Sequence, residues 1–145
     1  MSKKNRFVKW ISGILALGCV LSGCAGGQPQ MSGDNGLQTP GTYRQISMAE
    51  AAEVMVTENN YVILDVRRPD EFDSGHIPGA INVPNESIGT EEIDQLPDKD
   101  QMILVYCRSG NRSKQASEKL VDLGYTNIVE FGGIMDWTGE IVTGE

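Results

Sequence analysis

From Tyr43 onward, continuous apolar runs alternate with stretches of helical period. Tyr43 to Ile46 predicts a short first strand. Ser47-Met-Ala-Glu50 then reads as a capping box, with Ser47 as N-cap and Glu50 reaching back. Met48, Ala51, Ala52 and Met55 recur at helical spacing, which predicts a helix over 48–57. Tyr61 to Val66 is apolar at nearly every position, the pattern of a strand covered on both faces. Pro69 to Phe72 predicts a short helical turn opened by proline. His76 to Ala80 reads as a turn and Ile81 to Val83 as a short strand. Thr90 is expected to cap a helix over about 91–96, stopped by Pro97. Gln101 to Tyr106 is a second buried strand that ends at Cys107. A helix is expected from about Arg112 to Leu123, with Ala116, Leu120 and Leu123 inward and Gly124 as its stop. Asn127 to Phe131 is a further strand, followed by a short helix around Met135 to Trp137. Strands alternating with helices predict an α/β fold with a mainly parallel central sheet and helices on both faces.

The first 42 residues follow a different pattern. A basic stretch precedes an apolar run from Trp10 to about Leu21. That is signal-peptide length, short of the ~20 residues a spanning helix needs. The run ends in Leu21-Ser22-Gly23-Cys24, which resembles the bacterial lipobox, against the plainer readings of an uncleaved anchor or an ordinary secretory signal. The resemblance implies that residues 1–23 are a lipoprotein signal peptide and that Cys24 is lipidated. Residues 24–42, rich in Gly, Pro and Gln, read as a flexible tether. Residues 43–145 form the folded domain. The expected location is the extracytoplasmic face of a membrane, through the lipid anchor.

Composition narrows the chemistry. Hydrophobic residues make up 39% and charged residues 22%, a globular balance, and the whole chain carries −8. Residues 1–23 hold Lys3, Lys4, Arg6 and Lys9 and no acid, so the remainder carries −12. A surface that acidic excludes nucleic acid as a partner, since phosphate binding needs a basic footprint. The three cysteines, Cys19, Cys24 and Cys107, form no C-x-x-C, and the chain has one histidine, His76. No structural metal site and no disulfide framework are expected.

Against that acidic background, Val105-Tyr-Cys-Arg-Ser-Gly-Asn-Arg-Ser113 stands out. A strand, a loop and a helix start place Cys107 outside the carboxyl end of a parallel sheet, where such folds put functional groups. Loop N–H groups curled round the sulfur form an anion-binding nest. The helix N-terminus, Arg108 and Arg112 add positive field, and Lys114 contributes to it. Each factor favours thiolate over thiol, so Cys107 is expected to be a nucleophile rather than an inert buried cysteine. Gly110 permits a left-handed turn at the loop tip. Ser113 has two open readings, a helix cap or a partner of the sulfur.

Cys107-Arg-Ser-Gly-Asn-Arg-Ser113 resembles the active-site loop of the single-domain rhodaneses, the thiosulfate and persulfide sulfurtransferases. Three further segments resemble that family in order: Asp65-Val-Arg67 with Glu71-Phe72, Gly75-His-Ile-Pro-Gly-Ala-Ile-Asn-Val-Pro84, and Gly132-Gly133 with Trp137. The resemblance covers about 43–140. It implies a rhodanese-like fold and a sulfurtransferase in which Cys107 takes sulfur from a donor such as thiosulfate, becomes a persulfide, and passes the sulfur to cyanide or a thiol. Arg108, Ser109, Gly110, Asn111, Arg112 and Ser113 would form the substrate-binding loop. No cofactor is implied. The partners implied are a small-molecule sulfur donor and a thiol acceptor, with the protein acting as a monomer.

Supporting roles are expected for Asp65, as a hydrogen-bond acceptor of loop backbone, and for Arg67 and Glu71, as an ion pair fixing the turn. His76 is expected to make a structural hydrogen bond rather than a Cys–His pair, and Trp137 to sit in the core. Two other functions compete. One is a sulfur-carrier or docking module with little thiosulfate turnover. The other is a phosphatase or arsenate reductase, but that chemistry uses C-x5-R, and Cys107 to Arg112 is C-x4-R, one residue short. With Cys24 lipidated, Cys107 is the only thiol of the mature chain. Its repair would need an external thiol or a thioredoxin-like reductant.

Overall fold

A computed structural model describes residues 41–144. The expectations for the signal segment, for Cys24 and for nearly all of the tether lie outside the described residues. Five strands form one parallel sheet: β1 (Arg44–Gln45), β2 (Tyr61–Asp65), β3 (Ala80–Asn82), β4 (Met102–Cys107) and β5 (Ile128–Gly133). Their order across the sheet is β1-β5-β4-β2-β3, with every pairing parallel. The helices are α1 (Met48–Thr57), α2 (Pro69–Asp73) and α3 (Asn111–Asp122), with single 3₁₀ turns at Asn85–Ser87 and Ile134–Asp136.

The apolar runs of β2 and β4 are explained by two cores, one on each face. Alternate strand residues point to opposite sides. Ile63, Leu104, Tyr106, Val129 and Phe131 pack with Ala51 of α1 and Ile77. Leu64, Val66, Ile103, Val105, Cys107 and Ile128 pack with Ala116 and Leu120 of α3. Helices therefore cover both faces, as the alternation predicts. Among the described residues, no helix is long and apolar enough to cross a membrane.

Local signals act where the sequence places them. Ser47 Oγ accepts from Glu50 N–H at 3.2 Å and Ser47 N–H donates to Glu50 Oε2 at 2.7 Å, closing the capping box of α1. At the end of α3, Tyr125 N–H returns to the Leu120 carbonyl and Gly124 N–H to that of Val121. These paired bonds are the Schellman stop. The helix expected over 91–96 does not form. Leu96 N–H bonds the Ile93 carbonyl in an isolated turn. That one turn already buries Ile93 and Leu96 in the α3-side core. Between Gly89 and Pro97 there is no length in which further turns could repay helix nucleation.

Leu104 lies in the centre of β4 with no exposed surface. Leu104→Ala should lower unfolding free energy by ~2–5 kcal/mol, read as a reduced urea midpoint at unchanged slope.

Candidate active site

β4 delivers Cys107 to the carboxyl edge of the sheet, where the residue is 1% exposed. The strand pairing slips at this edge. Val105 faces Glu130, yet Cys107 faces Gly133, so β5 takes one extra residue over the same span. Gly132 occupies that step with φ of 97°, a left-handed conformation suited to glycine. Gly133 then lies flat against the loop that follows Cys107. A Cβ there would meet the Arg108 carbonyl oxygen at 2.3 Å and Ser109 Cα at 2.4 Å. No side chain fits between them, so the loop rests backbone to backbone on the end of β5.

The loop turns at Gly110, φ 94°, which is also the N-cap of α3. Its N–H donates to Cys107 Sγ at 3.1 Å. The positive end of α3 begins at the next residue. Ser113 does not cap the helix. Its hydroxyl lies 3.5 Å from Sγ and 2.6 Å from Glu130 Oε1, so of the two open readings the structure selects contact with the sulfur.

The two loop arginines differ. Arg112 Nη1 and Nη2 donate to Glu71 at 2.6 and 2.9 Å, a two-pronged pair linking α3 to α2. Arg108 is exposed and its guanidinium makes no ion pair among the described residues. Of the two arginines expected in the substrate-binding loop, one is thus exposed without an ion pair among the described residues and the other has its fork engaged by Glu71. Ser109 and Asn111 are exposed at the loop surface.

The expected Arg67–Glu71 pair is replaced. Asp65 and Arg67 are two apart on an extended segment, so their side chains share a face. Arg67 Nη2 donates to Asp65 Oδ2 at 2.6 Å and to the Gly75 carbonyl at 2.7 Å, all of it buried. Glu71 lies on α2, toward the start of α3, and takes Arg112 instead. Asp65 does receive loop backbone as expected, from Arg67 N–H at 2.9 Å. A buried pair of this kind fixes geometry more surely than it adds stability. Here it closes the turn from β2 toward Gly75.

His76 is structural. Its Nδ1 lies 3.0 Å from the Phe72 carbonyl, and its ring stacks on Phe72 at 3.7 Å between centroids. Its backbone exchanges two hydrogen bonds with Val142. Trp137 is half-buried, edge-on to Phe131, with Nε1–H on the Glu140 carbonyl.

One residue at the site escapes the sequence reading. Glu130 is 3% exposed in the middle of β5. Its carboxylate accepts from Ser113 Oγ, from Gly132 N–H at 2.9 Å and from Gln45 Nε2 at 3.1 Å. The signal was present: Glu130 is the lone acid in an otherwise apolar strand run, Ile128 to Phe131.

Residues 48–140 match the family described as "Rhodanese-like domain". The thiosulfate sulfurtransferase PspE of Escherichia coli is 38% identical over 73 residues, covering 50% of this chain and 70% of that protein. The chloroplastic thiosulfate sulfurtransferase 16 of Arabidopsis thaliana is 34% identical over 103 residues, covering 63% of this chain and 84% of the relative. A solved structure titled "rhodanese with anions from E. coli" superposes with a TM-score of 0.53 at 38% identity, covering 58% of this chain and 99% of that one. The chain belongs to the rhodanese-like family and, with it, to the sulfurtransferases.

The Glu71–Arg112 pair has a pH signature. Hydrogen bonds from Arg112 are the main cause that draws the Glu71 carboxyl from 4.5 down to about 2. A lowered carboxyl adds stability above its unfolded value and loses it as pH falls toward the folded one. The stability gap between wild type and Glu71→Gln should therefore be widest above pH ~5 and close between pH ~4.5 and ~2, measured by urea unfolding across that range. A gap independent of pH would show that the carboxylate charge plays no part.

Proposed function

We propose that the protein is an extracytoplasmic sulfurtransferase that carries sulfane sulfur on Cys107. The observation that carries the reading is the Gly110 N–H aimed at Sγ at 3.1 Å, at the start of α3 and beside the unpaired Arg108. The Cys107 thiolate attacks the outer sulfur of thiosulfate. A bond forms between Sγ and that sulfur, the donor's S–S bond breaks, and its electron pair leaves with sulfite. One negative charge stays on the outer sulfur of the new persulfide, where loop N–H groups can hold it. A thiolate or cyanide then attacks the outer sulfur and returns Cys107 as thiolate. A persulfide donor enters by the same displacement.

Arg108 is the cation available for the sulfonate end of thiosulfate. The relatives named thiosulfate sulfurtransferases support that donor. The loop length supports sulfur over phosphate, since C-x4-R encloses a smaller ring than C-x5-R. The lipobox-like Leu21-Ser-Gly-Cys24 supports an anchor on the outer face of a membrane. At that location the acceptor would be a small or protein thiol, and an external thiol or thioredoxin-like reductant would restore an oxidised Cys107.

Thiosulfate treatment should add one sulfur to the Cys107 peptide by mass spectrometry, and Cys107→Ser should neither gain it nor form thiocyanate from cyanide. Arg108→Ala should lower kcat/KM for thiosulfate about tenfold or more, the scale of one charge-assisted contact, with a smaller loss for an uncharged donor. Loading from a protein persulfide with negligible thiosulfate turnover would favour the carrier role instead. Full-length protein should fractionate with membranes and Cys24→Ala should not. An unchanged distribution would overturn the anchor.

A further inference from the structure

Glu130 is a buried acid that the sulfur-transfer steps above do not use. It lies two hydrogen bonds from the sulfur. Ser113 stands between them, with Oγ 2.6 Å from Glu130 Oε1 and 3.5 Å from Cys107 Sγ. A serine hydroxyl has one proton to donate and can accept more than one. The short contact to a carboxylate is the stronger claim on that proton. Two weaker acceptors compete for it, the Gly110 carbonyl at 3.0 Å and the Gly132 carbonyl at 3.4 Å. With the proton directed at Glu130, Ser113 can only accept from the sulfur. That suits a thiol, whose S–H points to Oγ. It does not suit a thiolate, which would face an oxygen lone pair with a carboxylate behind it.

A persulfide removes the conflict. Its charge sits one sulfur farther out, and the inner sulfur bonded to Cβ is nearly neutral. Ser113 can keep its bond to Glu130 while the loop N–H groups hold the outer sulfur. Gly110 N–H and the start of α3 favour any anion at the site, whereas Glu130 acts only against an anion on the inner sulfur.

We propose that Glu130 is a positioning residue of the sulfur-transfer site, which, by taking the proton of Ser113, disfavours a bare Cys107 thiolate relative to the loaded persulfide. Once deprotonated, the unloaded sulfur is thereby the stronger nucleophile, and the loaded site is retained. The thiolate claim stands on geometry alone, and its extension to sulfur loading rests on the function proposed above. The charged and titratable groups around the pair are Tyr43 near β1, Glu118 and Arg112 on α3, Glu71 on α2 behind Arg112, and exposed Arg108 on the loop. Gln45 of β1 holds the far oxygen of Glu130. Of these groups, Glu130 is the one carboxylate that contacts the hydroxyl beside the sulfur.

Glu130→Gln isolates the charge. The glutamine oxygen can still accept from Ser113 and Gly132, and the Gln45 amide can turn to accept from the new NH2 group. Alkylation of Cys107 by iodoacetamide, a neutral reagent, is followed across pH in the full chain. The variant's profile should move to lower pH by about one unit, so that alkylation below the midpoint is about threefold faster, the roughly tenfold gain in thiolate being partly offset by its lower nucleophilicity. A profile that stays in place or moves to higher pH overturns the proposal. Ser113→Ala provides a second reading should the first variant fail to fold. Its profile should also move to lower pH, because the thiol loses its acceptor. Any other result means that the serine stabilises the thiolate, and the proposal falls.

A second arm titrates loaded protein with sulfite at fixed thiosulfate, above both midpoints, and counts persulfide by mass spectrometry. In Glu130→Gln, half-discharge should need less sulfite by about tenfold, the factor that the one-unit shift of the profile represents. Equal sulfite requirements would refute the loading bias. A shifted alkylation profile in a protein that never forms a persulfide would instead leave the Glu130 effect intact and reject thiosulfate as the donor.

Discussion

The loop that carries the sulfur rests on a strand end that has no side chain. Gly133 allows the backbone of Arg108 and Ser109 to lie where any Cβ would stand, and the rest of the site depends on that contact. If the loop rode higher, Gly110 N–H would not reach Sγ and α3 would start at a different height above the sheet. The extra residue in β5 serves the same end. It brings Gly133 rather than Gly132 opposite Cys107, while Glu130, still in register with Val105, faces the α3 side, where Ser113 can reach it.

Two ion pairs hold the surroundings of this contact in different ways. The buried Asp65–Arg67 pair closes the turn after β2 and takes the Gly75 carbonyl with it. Removing water from both charges costs about as much as their attraction returns, so its contribution is a fixed path for the chain rather than net stability. The Glu71–Arg112 pair is partly exposed and ties α2 to the first turn of α3. It also takes up much of the positive field that two loop arginines would otherwise supply. What the structure places at the sulfur is the Gly110 N–H and the start of α3, with Arg108 exposed on the loop and the fork of Arg112 held by Glu71.

Much of this was legible because the signals are local. Continuous apolar runs at 61–66 and 101–106 report strands covered on both faces, and Ser47 with Glu50 reports a helix start. Cysteine, glycine and a helix start in succession report an anion-binding loop. What was not legible depends on which residues meet across the fold. Arg67 is nearer in sequence to Asp65 than to Glu71, but only strand geometry decides that the i, i+2 partner wins. The role of Glu130 needs the facing of β5 and the meeting with Ser113 across the fold, neither of which the pattern Asn-Ile-Val-Glu-Phe-Gly-Gly reveals. The spurious helix at 91–96 had a plausible cap and stop, yet its two apolar residues are buried by a single turn.

In the proposed function, Cys107 is the transient carrier of a sulfur atom. Sulfite release on mixing the purified protein with excess thiosulfate, with no acceptor present, tests this most directly. A burst of about one sulfite per Cys107 is expected, with no more until an acceptor is added, as a double displacement requires. Sulfite that appears only together with acceptor, or a burst that survives Cys107→Ser, would contradict it.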